Sequence, residues 1–176
     1  MLLPGSKPKP LTSEGRAQLF GRFTWQPDPQ PGNPENIKML DSWAAVSIEK
    51  VLLPASITRD GHSVAWVHKM VAPHFLALVK AWEDAGVAAD VLTWNGAYNA
   101  RLIRGSTTTL SAHSHGSAFD INVSWNQLGQ PPAALGAKGS VARLVPIAES
   151  LGWYWGGRFS RVDGQHFEAT AAMFGR

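Results

Sequence analysis

The chain has 176 residues, no cysteine, a net charge of +3 and 44% hydrophobic against 16% charged residues. That length and balance suit one globular domain and exclude disorder, disulfide frameworks and zinc–thiolate sites. No run of about 18 apolar residues exists to span a membrane, and no basic cluster with interleaved aromatics points to nucleic acid. Residues 1–10 carry three prolines and two lysines and read as a flexible lead-in. They hold no apolar signal-peptide core, so the expectation is cytoplasmic synthesis without a signal peptide. Gly21–Trp25 alternates like a short strand, and the four prolines of Gln26–Asn36 predict an extended loop. Ile37–Leu53 fits one or two strands or a helical turn. Val71–Ala85 is the clearest helix, with Pro73 in its first turn, Phe75, Leu78, Val79 and Trp82 on one stripe, and Gly86 to end it. Asp90–Trp94 reads as a strand, residues 105–110 as a Ser/Thr-rich lead, and Gly129–Gly139 as a loop. Ser140 can cap a helix running to about Leu151, with Gly152 at its stop. Trp153–Trp155 and His166–Glu168 read as strands with a turn at Gly156-Gly157. The mixture predicts an α+β fold, a single domain with a small antiparallel sheet and flanking helices.

Two stretches carry chemistry. Ser111-x-His113-x-x-Gly116-x-Ala118-x-Asp120 is answered by Asp163-x-x-His166-Phe167. Between them they offer two imidazoles and a carboxylate as metal ligands and a further carboxylate as base, the set a catalytic zinc needs. His113 and Asp120 are seven apart, an odd spacing that one straight strand would put on opposite faces. Gly116 breaks the segment, so His113 ends one element and Asp120 sits on the next. From there Ala118, Asp120 and Asn122 face one way and Phe119, Ile121 and Val123 the other. Glu168 shares the face of His166, as an acceptor for its imidazole N–H or as a solvated charge. His115 reads as a groove or surface histidine. His62, His68 and His74 lack ligand spacing, and His74 is expected on the solvent side of its helix.

These paired motifs, with Trp155-Gly156-Gly157 between them, resemble the zinc D-alanyl-D-alanine carboxypeptidase and L-alanyl-D-glutamate endopeptidase family, which includes VanY-like enzymes and phage endolysins. The resemblance covers about residues 70–170. It implies a Hedgehog/DD-peptidase fold, with Zn2+ held by His113, Asp120 and His166 and with Asp163 as the catalytic acidic residue. The family's arginine falls on Arg101, with Arg104 as the alternative. Ser111 matches the family's serine, whose hydroxyl could orient a ligand or substrate. Trp155 and Arg104 are further candidates for substrate contact. Trp153 and Trp155 share a face, and at least one of them belongs to the core. The expected division is a flexible, extended segment over 1–36 and a zinc peptidase domain over 37–176. The expected partner is the peptidoglycan stem peptide, with the protein a monomer that acts on the cell wall if phage-derived and released by a holin. The competing class is a non-catalytic, zinc-stabilised cell-wall or protein-binding module. Asp163 argues against it, because a structural zinc needs no base.

Overall fold

The computed structural model describes residues 7–175, so residues 1–6 of the expected lead-in lie outside it. Four helices and eight strands follow in the order α1 (Ser13–Phe20), β1 (Trp25–Pro27), β2 (Ile37–Met39), α2 (Trp43–Ser47), β3 (Ile48–Leu52), β4 (Val64–His68), α3 (Ala72–Asp84), β5 (Trp94–Gly96), β6 (Ala118–Ile121), α4 (Leu144–Ser150), β7 (Trp153–Trp155) and β8 (His166–Ala169). All strand pairs are antiparallel. β1–β2 and β3–β4 form separate two-stranded sheets, and β5-β6-β8-β7 form a four-stranded one. The fold is mixed helix and strand, as the sequence predicts.

The four-stranded sheet divides two environments. Alternation along β6 and β8 sends Phe119, Ile121, Phe167 and Ala169 to one side, where α3 lays Phe75, Leu78, Val79 and Trp82 against them. Phe119 lies between the parallel rings of Trp94 and Phe167, with Phe75 and Trp153 edge-on. Each such buried aromatic contributes on the order of 1.5–3 kcal/mol. The Trp82 indole N–H donates to the Leu144 carbonyl at 3.1 Å, joining α3 to α4. The opposite side of the sheet carries Ala118, Asp120, His166 and Glu168. The short 3-10 turn Ala112–His115 packs there, and α1 packs against that turn.

Several local expectations are corrected. The N-terminal stretch is not a plain lead-in: Thr12 caps α1 by accepting from the Gly15 amide at 3.0 Å, and Phe20 enters the core. Low overall apolarity hid this helix; its pull into the fold comes from Phe20 and one buried arginine, Arg16. The first strand is Trp25–Pro27 rather than Gly21–Trp25, because its partner, Ile37–Met39, lies across the proline loop. Ile37–Leu53 resolves into strand, helical turn and strand. β4 went unread in the sequence. The strand at Asp90–Trp94 shifts to Trp94–Gly96, since Ala88–Asp90 closes as a 3-10 turn. α4 begins at Leu144, not at Ser140. Asn122 leaves the strand with φ of 55°. Its side chain accepts from the Leu92 and Thr93 amides and donates to the Asp90 and Gly139 carbonyls, a buried tie that asparagine supplies in the left-handed region.

Candidate metal centre

Three elements deliver three donor atoms to one point. The first is the Ala112–His115 turn, where the Ser111 hydroxyl accepts from the His113 amide at 3.3 Å and Gly116 ends the turn at φ 61°. A Cβ at Gly116 would lie 2.6 Å from a methyl of Ile48 and 2.7 Å from the His68 amide nitrogen, so only glycine lets the turn pack so close to β3 and β4. The second and third elements are β6 and β8, whose register sets Asp120 directly opposite His166. His113 Nε2 lies 3.2 Å from His166 Nδ1 and 3.3 Å from Asp120 Oδ1, and His166 Nδ1 lies 3.0 Å from the same oxygen.

Each imidazole is committed on its far side. His113 Nδ1 is 2.6 Å from the Ala97 carbonyl, and His166 Nε2 is 3.1 Å from Glu168 Oε2. A carbonyl and a carboxylate only accept, so both of these nitrogens carry protons, and the nitrogen facing the site is the one left to hold a cation. Two imidazole nitrogens and a carboxylate therefore converge within the protein, a set that favours a positive charge among them. The donor set fits a divalent metal. Burial opposes the charge on Asp120, but the two histidines outweigh it and hold its carboxyl well below the usual range. Burial likewise opposes a charged His166, yet hydrogen bonds to Asp120 and Glu168 and their charges push its pKa up to about 10. That pull on a proton at Nδ1 is the same pull a metal ion would feel.

Asp163 lies outside the three-ligand group, at the mouth of the loop that precedes His166. Its amide donates to the Gly156 carbonyl at 2.9 Å, its own carbonyl accepts from the His166 amide at 3.2 Å, and Gln165 Nε2 donates to Oδ1 at 3.0 Å. A Cβ at Gly156 would stand 2.6 Å from the Asp163 carbonyl oxygen, so this loop also depends on a glycine. Burial, and then the charge of Asp120, raise the Asp163 carboxyl above its ordinary pKa.

The two candidate arginines have different partners, and Arg101 Nη1 donates to the Leu102 carbonyl at 3.1 Å. Arg101 is half-buried. Burial lowers its pKa, while the charges of Asp120 and Asp163 act in the opposite sense, so its guanidinium shares the field of the site. Its backbone is strapped to the ligand turn, with its amide donating to Ser114 Oγ at 3.0 Å and its carbonyl accepting from the Ser111 amide at 3.1 Å. Arg104 is instead spent on the proline loop, donating to Asn33 at 2.9 Å and to Glu35 at 2.5 Å. Ser111, 5% exposed, serves the turn that carries His113 rather than an open surface. Trp155 is half-buried against the core, and its indole N–H donates to the Gly164 carbonyl at 2.8 Å, which buttresses the Asp163 loop from behind.

His115 is corrected outright. It is 2% exposed and sits among Phe20, Phe23 and Trp43, with ring centroids 6.4, 5.0 and 5.6 Å away. Burial, with the charges of Arg16 and His68, lowers its pKa to about 4. Of the two readings of Glu168, the acceptor behind His166 is the one the geometry supports. The Ala97 carbonyl and Gln165 escaped the sequence reading, because a backbone acceptor leaves no residue signal and a single glutamine inside the loop carries no ligand spacing. His74 is half-buried against Phe174 rather than free in solvent.

Residues 104–169 match the family model described as D-alanyl-D-alanine carboxypeptidase. No curated protein and no solved structure matches the chain. The matched segment contains His113, Asp120, Asp163 and His166, and lacks Arg101 and the whole N-terminal part. The segment that builds the metal centre is therefore similar to the D-alanyl-D-alanine carboxypeptidases, which supports a peptidase.

Proposed function

We propose that this protein is a zinc-dependent peptidase that hydrolyses a peptide bond in the stem peptide of peptidoglycan, on a Hedgehog/DD-peptidase-like fold. The observation that carries the reading is the convergence of two imidazole nitrogens and one carboxylate, separated by 3.0 to 3.3 Å, within the field of a second carboxylate, Asp163. A tetrahedral ion with bonds of about 2.0 Å sets its ligand atoms about 3.3 Å apart, so the spacing suits zinc. When bound, zinc lowers the pKa of a water and polarises a carbonyl oxygen.

The chain's own groups do the remainder. His113, Asp120 and His166 hold the metal in a fixed frame. The Asp163 carboxylate, with its proton affinity raised by burial, takes the proton of the attacking water and returns it to the departing amine. Arg101 meets the negative oxygen that develops on the scissile carbonyl, or a carboxylate of the substrate. Gly96, opposite Asp120 in the sheet, has open space where a side chain would project, and leaves room for the substrate beside the ligand.

Mass spectrometry of purified muropeptides incubated with the full chain tests the proposal. Loss of a terminal alanine would mark D-Ala-D-Ala carboxypeptidase action, and release of the stem beyond L-Ala would mark L-Ala-D-Glu endopeptidase action. Either must vanish with a chelator and return with Zn2+. Unchanged muropeptides in the presence of zinc would overturn the enzymatic reading.

A further inference from the structure

A second stretch of chain lies against the loop that carries Asp163. From Gln127 to Lys138 it belongs to no helix or strand and is mostly exposed, yet one buried side chain fastens it. Asn126 is 0% exposed. Its Nδ2 donates to the Asn122 and Gly139 carbonyls, each at 2.9 Å, and its Oδ1 accepts from the Ala133 amide at 3.2 Å. Both donors and the acceptor of the amide are used, and a buried polar group satisfied in this way fixes one arrangement of the chain around it. Asn122, two residues beyond the ligand Asp120, donates to the same Gly139 carbonyl at 3.1 Å. The stretch is therefore anchored at the end of β6.

So anchored, it meets the Asp163 loop at two points. The Gly129 amide donates to the Val162 carbonyl at 2.6 Å. A Cβ at Gly164 would stand 2.9 Å from both Cβ and Cγ of Pro132 and 3.2 Å from Cβ of Asn126. The Gly164 carbonyl is taken by the Trp155 indole. The residues before and after Asp163 are thus both gripped. The Asp163 carboxylate takes one hydrogen bond among the described residues, from Gln165, so its place is set mainly by this backbone. His166 has a separate support, its pairing opposite Asp120 across β6 and β8.

Resting on the reading that Asp163 is the catalytic base, we propose that Asn126 and Pro132 are positioning residues for it: Asn126 fastens a strap whose Pro132 presses on Gly164, and the strap sets where the Asp163 carboxylate stands beside the metal centre. The strap acts on the base and leaves the three ligands alone. A misplacement of about 1 Å in a reacting group can cost about 10²-fold in rate, so a contact this close can govern turnover without touching substrate.

The test uses the full chain, a muropeptide substrate and zinc content measured on each variant. Gly164→Ala and Asn126→Ala should each keep one zinc per chain and lose about 10²-fold in kcat, with KM within about threefold of wild type. In an Asp163→Asn background, where no base is left to misplace, either change should cost less than about threefold more. Gly164→Ala combined with Pro132→Gly, which clears the ring away from the new methyl, should regain at least about tenfold of the loss. Equal losses with and without Asp163 would overturn the proposal, because they would make the strap a general prop of the fold. So would wild-type kcat in a folded Gly164→Ala chain, loss of its zinc, or no regain with Pro132→Gly. Should Asn126→Ala fail to fold, Gly164→Ala decides on the same readouts. A zinc-loaded wild-type chain without turnover, or an Asp163→Asn chain as active as wild type, would sink the reading of Asp163 and this proposal with it. A dead Asp163→Asn chain beside a fully active Gly164→Ala chain sinks this proposal alone.

Discussion

His113 and His115 stand two residues apart on one turn, and the turn divides them between two regions with opposite chemistry. On the sheet side, His113 has a carbonyl behind it and a carboxylate and a second imidazole in front. On the side of helix α1, His115 has aromatic rings around it and a buried Nδ1 with no hydrogen-bond partner among the described residues. Both are almost fully buried, so exposure does not separate them. The difference lies in what each second nitrogen meets. A fixed acceptor behind the ring turns an imidazole into a directed lone pair. A ring of aromatics makes it a weakly polar core residue that resists protonation.

The sharpest way to break this contrast is metal stoichiometry. His113→Ala and His166→Ala should lose the bound zinc, while His115→Phe keeps one zinc per chain by metal analysis of the purified proteins. Full occupancy in His113→Ala would dissolve the distinction. Asp163→Asn comes next: it should keep the zinc and the fold and lose about 10²–10⁴-fold in turnover on a muropeptide, the usual contribution of a general base. The arginines should diverge in the same assay. Arg101→Ala should lose about 10²–10³-fold in kcat, as a donor at a developing oxyanion does. Arg104→Ala, which gives up the partly exposed pair with Glu35 and the bond to Asn33, should cost little stability and little activity.

Acid should expose the α1 side of the turn. His115 has a pKa of about 4 when folded against 6.5 ordinarily, so within that window the unfolded chain binds the extra proton. Stability then falls as the pH drops through 6.5 and levels off near 4, by roughly 3 kcal/mol at most. His68, whose pKa burial also lowers, adds in the same direction. Urea denaturation at pH 7 and pH 4.5, with chelator present to silence the metal, should show a smaller acid loss in His115→Phe than in wild type. Equal losses would move the effect away from the aromatic nest.

What could be read in the sequence follows from where each residue's partners lie. The pairing of His113 with Asp120 was legible because Gly116 and the alternation after Ala118 fix the local geometry within ten residues, whereas His166, 46 positions beyond Asp120, was joined to them only through the paired motifs. The α3 stripe was legible for the same reason. His115 was misread because its surroundings come from Phe20, Phe23 and Trp43, some 70 to 95 positions earlier. Arg104 looked as free as Arg101 until Asn33 and Glu35 folded onto it. Helix α1 has no apolar stripe, so periodicity was silent about the element that backs the His113 turn.

Gly116 and Gly156 bear no functional group, yet each is pressed so closely by backbone that a single methyl would collide. In a saturation screen scored on activity, both should tolerate as few replacements as the metal ligands themselves. The cause would differ: a ligand variant folds and cannot bind metal, whereas an alanine at position 156 pushes the Asp163 loop out of place while the three ligands stay intact. Zinc content measured across the inactive variants would sort the two classes, and would show that the tolerance map of this site is drawn as much by empty space as by chemistry.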